Sequence, residues 1–287
     1  YCRKYKIPYI IDAHGSVPYF RKKIILKKLF DWFIGRSILK NASKLLAESK
    51  IGVLEYKKII PQLTDIQLKV IYPSFNLKDF SYNQEKHKFR KLQNLSLDTN
   101  MIIFVGRLSP IKGLEFLLKS FAKFLTKLPN SKLYLIGDDG GTGYISTLKK
   151  LIRDYKLVES VVFTGFLSGK HKHSAIIDAN VLIQCSLQEQ GPRVPFDAVL
   201  LGTPVIATEH TGSGEYVKKF NAGELVEYGN CTQLCDSLYK ILNNQKQARE
   251  RTINAAIKIK EEMSIEKIII QYQDLYLDSK KYSYSFT

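Results

Sequence analysis

Between residues 101 and 229 one pattern recurs: a short apolar run, a glycine or polar turn, then a segment with apolar residues at helical spacing. The runs are "MIIFVG" (101–106), "KLYLIG" (132–137), "VVFTG" (161–165), "NVLIQC" (180–185), "PVIA" (204–207) and "GELVEYG" (223–229). Residues 113–128, 144–155, 170–178, 195–201, 213–219 and 231–243 read as the alternating helices. Strands apolar throughout need cover on both faces, so the pattern predicts a doubly wound parallel α/β sheet. Such sheets bind ligands at the carboxyl ends of their strands.

The 287 residues suffice for one large domain or two ordinary ones. With 45% hydrophobic and 25% charged residues, disorder and a disulfide scaffold are excluded. No apolar run reaches transmembrane length. Cys2, Cys185, Cys231 and Cys235 are too scattered for a disulfide framework or a metal site, and a reducing cytoplasm is expected. The chain opens on Tyr1 rather than Met, which is the expectation for a piece of a longer protein.

Residues 1–75 read as part of a second α/β unit. "IPYIIDAHG" (7–15), "KLLAESK" (44–50) and "KVIYPSF" (69–75) are its strand candidates, too few for a full doubly wound domain. Residues 76–98 are polar and suit a linker. The expected division is 1–75, linker 76–98, a main domain 99–265, and a C-terminal helix and tail 266–287 packing back on the first unit.

The net charge of +17 is uneven: residues 1–60 hold fourteen Lys/Arg against four Asp/Glu. That points to anionic partners, such as nucleic acid, anionic lipid or phosphorylated substrates. No nucleic-acid-binding motif accompanies it, so nucleic acid is not expected. Residues 19–40 interleave seven cations with Phe20, Phe30, Trp32 and Phe33. This segment suits either a domain helix with solvated lysines or peripheral contact with an anionic membrane.

Three loops could carry chemistry. "GRLSPIKG" (106–113) sets Gly106, then Arg107 and Lys112, between a strand and a helix start. Free N–H groups at a helix start and two cations would hold an anion, although spacing alone does not separate this from two ordinary surface cations. In "LQEQGPRVPFDA" (187–198), Glu189 belongs to a loop after a strand. Pro195 suits the first helical turn, which places Asp197 in that turn, either with both acids toward the ligand crevice or with Asp197 merely complementing the helix dipole and Glu189 solvated. "TGSGEYV" (211–217) offers Gly212 and Gly214 before Glu215 as another phosphate-approach loop. "GDDGGTG" (137–143) is not a dinucleotide fingerprint and reads as a flexible loop.

These pieces in this order resemble the retaining glycosyltransferases of family 4, through "GRLSPIKG", "VVFTGF", "EQGPRVPFDA", "GTPVIAT" and "GSGEYV" over residues 100–275. Fainter echoes lie in "IPYIIDAHG", "LLAES" and "VIYPSF". The resemblance implies a GT-B fold: two Rossmann-like parallel-sheet domains facing a cleft, the N-terminal one incomplete because its glycine-rich acceptor loop is absent. A chain beginning at Tyr1 would then lack activity that the longer protein has. The resemblance implies transfer of a hexose from a nucleoside-diphosphate sugar to a glycan or lipid-linked acceptor, with no metal and no further cofactor. A non-catalytic nucleotide-sugar or membrane-binding module of the same fold is the alternative.

By matching position, Arg107 and Lys112 would hold the diphosphate. Glu189 would contact donor-sugar hydroxyls and Asp197 the ribose. The stretch Gly191, Pro192 and Arg193, together with Gly214 and Glu215, would line the donor site. His14 would sit near the donor sugar. The second acid departs from the family's glutamate by one methylene, and Arg193 stands where small or apolar residues are usual. The expected setting is the cytoplasm, with peripheral contact at the inner face of the membrane as the option that residues 19–40 leave open.

Overall fold

The computed structural model describes residues 1–2, 4–14, 24–80, 86–191 and 193–281. The chain divides into two units, Tyr1–Asn76 with Glu262–Thr287, and Leu77–Glu261.

The first unit has a parallel three-stranded sheet in the order β1 (Ile10–Asp12), β2 (Lys44–Ala47), β3 (Leu68–Val70). Its strand candidates are thus shorter than the apolar runs suggested, and β3 stops at Val70. A helical stretch joins β1 to β2: α1 (Ile24–Phe30), a π-helical turn (Asp31–Gly35) and α2 (Arg36–Lys40). Residues 19–23 of the expected basic helix lie outside the described residues. Ser49 caps α3 (Lys50–Ile59), its Oγ accepting the Gly52 N–H at 3.2 Å.

Alternation along β2 sends Leu45 and Ala47 to one face, with Tyr56, Ile60 and Leu63. Leu46 goes to the other face, with Ile71. That second face is closed by Ile268 and Leu275 of the C-terminal helix Ile265–Lys281.

The second unit starts inside the stretch expected as a linker. Residues 88–92 form α4 (Lys88–Leu92), and Arg90 is 4% exposed. The alternation then runs β4 (Asn100–Val105), α5 (Leu114–Leu125), β5 (Ser131–Ile136), α6 (Tyr144–Asp154) and β6 (Val161–Gly165). It continues with α7 (Gly169–Asp178), β7 (Val181–Gln184), α8 (Arg193–Leu200), β8 (Val205–Thr208), α9 (Gly212–Phe220), β9 (Gly223–Val226), α10 (Cys231–Asn243) and α11 (Gln245–Glu262).

All six strands are parallel, in the order β6-β5-β4-β7-β8-β9. The chain builds outward from β4 on one side, then returns to build outward from β7 on the other. The direction reverses between β4 and β7, which is where a doubly wound sheet opens a crevice. Leu114, Leu117, Leu118, Phe121 and Phe124 of α5 recur at helical spacing and are buried against Ile102, Phe104, Leu133 and Leu135. Each such side chain contributes about 1.5–3 kcal/mol of hydrophobic stabilisation.

The "GDDGGTG" loop is better ordered than its composition suggests. Asp139 accepts the Gly141 and Ile145 N–H groups at 3.1 Å, so it caps the entry to α6. The Ile145 amide is the main cause holding the Asp139 carboxyl below its usual range. Among the described residues no helix is long and apolar enough to cross a membrane.

Candidate functional site

The loops leaving β4 and β7 lie side by side at the switch point. Gly113 allows this: its φ is +70°, and a Cβ there would overlap the Cys185 carbonyl oxygen. The Leu187 N–H donates to the Ile111 carbonyl at 2.8 Å, which ties the two loops together. Lys112 and Glu189, 77 positions apart, are thereby brought into a direct ion pair. Their side chains are only 16% and 17% exposed. Arg107, on the same loop as Lys112, is exposed and makes no hydrogen bond or ion pair among the described residues. Gly106 has φ +151° at the end of β4. Burial pushes the Cys185 thiol beneath these loops up to about 12, so it is no nucleophile at neutral pH.

A third loop, after β8, closes against the second. The Gly212 N–H donates to the Glu189 carbonyl at 2.6 Å. A Cβ on Gly212 would come within 2.7 Å of the Gln190 carbonyl carbon, so glycine is required for this approach. Thr211 caps α9, its Oγ1 accepting the Gly214 N–H at 3.1 Å. The Gly214 amide, expected to face a ligand, is therefore committed to the cap, and Gly214 serves close packing against Thr208 and Glu209. Glu215 lies in the first turn of α9, half-buried. Gly191 is half-buried, Arg193 is exposed as the first residue of α8, and Pro192 lies outside the described residues.

Four buried side-chain atoms on these loops, the first turn of α9 and the end of β7 have no hydrogen-bond partner among the described residues: Ser109 Oγ, Gln184 Oε1, Gln190 Nε2 and Ser213 Oγ. An orphaned buried polar atom costs about 1–3 kcal/mol, and such a concentration makes this surface the candidate site.

Asp197 is not where spacing put it. The helix α8 starts at Arg193, two residues before Pro195, so Asp197 falls beyond the first turn. Its Oδ2 pairs with Lys172 of α7 at 2.6 Å, and it is 7% exposed. Nothing in the sequence marks Lys172 as its partner. The four groups expected around one ligand therefore divide: Arg107, Lys112 and Glu189 share the β4 and β7 loops, while Asp197 joins the α7–α8 pair.

His14 belongs to the other unit, at the carboxyl end of β1. It is left-handed (φ +40°), and its ring faces two carboxylates, Asp12 at 3.3 Å and Glu48 at 3.6 Å. Both acids were missed by sequence reasoning, although Asp12 closes β1 and Glu48 directly follows β2. Among the described residues no group of three or more His, Cys, Asp or Glu is placed to hold a metal ion.

Comparison with solved structures gives the class. The chain superposes on Anabaena Alr3699/HepE in complex with UDP-glucose with a TM-score of 0.80 and 20% identity, over 96% of this chain and 73% of that one. For sucrose-phosphate synthase from Thermosynechococcus elongatus the TM-score is 0.77 with 25% identity, over 93% of this chain and 66% of that one. With its two parallel-sheet α/β units, the fold is of the GT-B glycosyltransferase type. Residues 85–259 match the family model described as glycosyl transferases group 1, and the chain belongs to that family. Relatives include a putative glycosyltransferase, YtcC, of Bacillus subtilis (27% identical, 77% of this chain and 56% of the relative). Another is N-acetyl-alpha-D-glucosaminyl L-malate synthase of Bacillus anthracis (25%, 69% and 50%). The chain thus spans about half the length of these relatives.

Proposed function

We propose that this protein transfers a sugar from a nucleoside-diphosphate sugar to a glycan or lipid-linked acceptor, with retention of configuration and without a metal. The observation that carries the reading is the Lys112–Glu189 pair at the switch point, with Arg107 on the same loop. A diphosphate between Arg107 and Lys112 would receive charge-assisted hydrogen bonds, which are about twice as strong as neutral ones. Lys112 would exchange Glu189 for the phosphate, and Glu189 would accept hydroxyls of the donor sugar. In transfer, the sugar C1–phosphate oxygen bond breaks and the bond from C1 to the acceptor oxygen forms. The acceptor proton passes to the departing phosphate, whose charge the two cations stabilise. UDP and UDP-glucose complexes of the Anabaena structures support a nucleotide-sugar donor.

A thermal-shift series with UDP, GDP and their glucose and mannose derivatives tests this. Stabilisation should grow with ligand concentration, reaching about 2.7 kcal/mol at a hundredfold excess over Kd. No shift with any of them would remove the donor-site assignment. Binding in the longer protein with no turnover on any acceptor would favour the non-catalytic module. An inverted anomer in the product would overturn retention.

The lipid-linked acceptor draws support from the first unit. Trp32 and Phe33 are 71% and 74% exposed on a helical stretch that also carries Lys27, Lys28, Arg36 and Lys40. Sedimentation with phosphatidylglycerol vesicles at physiological salt should pellet the protein, and Trp32→Ser with Phe33→Ser should abolish it. Equal supernatant fractions with and without vesicles would remove the membrane contact.

A further inference from the structure

We propose that Gln184 is a positioning residue that aims one oxygen of Glu189 at the donor sugar; this rests on the reading of Glu189 as a sugar-binding acid. The two carboxylate oxygens of Glu189 have unequal surroundings. Oε2 collects three donors: Lys112 Nζ, Gln184 Nε2 at 3.2 Å and Ser186 Oγ at 3.3 Å. Oε1 has no hydrogen-bond partner among the described residues. An ionised carboxylate offers about four acceptor sites. Loading one oxygen fixes the rotation of the carboxylate and leaves the other as the free acceptor.

The brace is built on the sheet, not on the loop. Gln184 is the last residue of β7 and only 3% exposed. Its Nε2 also donates to Ser186 Oγ at 3.0 Å. Ser186 is anchored in turn, its carbonyl accepting Thr208 Oγ1 of β8 at 2.6 Å. A strand-end glutamine among apolar neighbours, with its own Oε1 buried and unpartnered, is costly unless it serves a site. The service is specific to the occupied state. When Lys112 turns to a diphosphate, Gln184 and Ser186 are the donors that still hold Oε2. Without them the carboxylate is free to rotate, and the hydrogen bonds to a sugar hydroxyl must pay for ordering it.

The test compares UDP with UDP-glucose, and GDP with GDP-mannose in parallel, on wild type and Gln184→Leu. Kd is measured by calorimetry and KM and kcat on the longer protein. Leucine removes the donor while filling similar volume. The expected result is unchanged affinity for the nucleoside diphosphate and about tenfold weaker binding of its sugar conjugate, with KM raised more than kcat is lowered. Equal losses for both ligands, or no loss for either, would overturn the positioning role while leaving the donor site intact. Failure of wild type to bind any of the four would overturn the donor-site reading and this inference with it. Should Gln184→Leu not fold, Ser186→Ala carries the same comparison, with a smaller loss of the sugar conjugate expected and an absent one overturning the inference.

Discussion

Replacing Arg107 and Lys112 together by alanine should lower kcat/KM of the longer protein by about 10³-fold or more, because removing one preorganised donor at a developing anion costs roughly 10²–10³. The two cations share the loop after β4, whose position is fixed by the Gly113 contact and by the hydrogen bond from the Leu187 N–H to the Ile111 carbonyl. On the proposed reading they would stand where charge accumulates as the sugar leaves. Lys112→Ala should be the worse single change, since it also strips Glu189 of its ion-pair partner. A double mutant with wild-type turnover would refute the assignment, as would turnover abolished by EDTA for its claim that these side chains replace a metal.

Asp178→Ala should destabilise the second unit by about 3–5 kcal/mol, because three backbone N–H groups lose their acceptor, at about 1–3 kcal/mol for each one left buried and unpartnered. Both Asp178 and Arg90 are buried, at 6% and 4% exposure. The Asp178 carboxylate accepts the N–H groups of His87 at 2.6 Å, Phe89 at 2.7 Å and Arg90 at 3.1 Å. The Arg90 guanidinium donates to the carbonyls of Asp178, Ser96 and Thr99 and to Asn180 Oδ1. Burial pulls the Arg90 guanidinium below its ordinary value, and Asp178 opposes that pull. One acid therefore caps α4 and supports the cation that fastens residues 86–99 to the end of α7. Melting should drop on the order of 10 °C for a unit of this size. A loss below about 1 kcal/mol by urea titration would show that water replaces the network without cost.

That network also explains why residues 76–98 misled. Their polarity reads as solvated linker, and most of residues 86–98 are exposed, yet a single buried arginine whose guanidinium finds four acceptors fixes the segment to the domain. Two of them, on Asp178 and Asn180, lie about 90 positions away and leave no local trace. The sheet was legible because its strands are apolar on both faces and its helices carry a single apolar stripe, as in α5. The meeting of Lys112 and Glu189 was legible because each lies in the loop that leaves a strand, and strand ends converge in a parallel sheet. Asp197 was not. Starting α8 at Arg193 instead of Pro195 shifts it by two positions, about 200° around the helix. Gln184 offered one signal, a polar residue closing an apolar strand, whose meaning depends on a carboxylate five positions on.

The reversal of strand order between β4 and β7 has a temporal consequence. Lys112 leaves the ribosome 77 residues before Glu189, and the Gly212 contact that seats Glu189 comes later still. On the proposed donor-site reading, a nascent chain would be blind to nucleotide while β5 and β6 are being added. The capacity should appear abruptly once α9 has emerged, which would make nucleotide a reporter of late assembly for this unit rather than a template for its early folding.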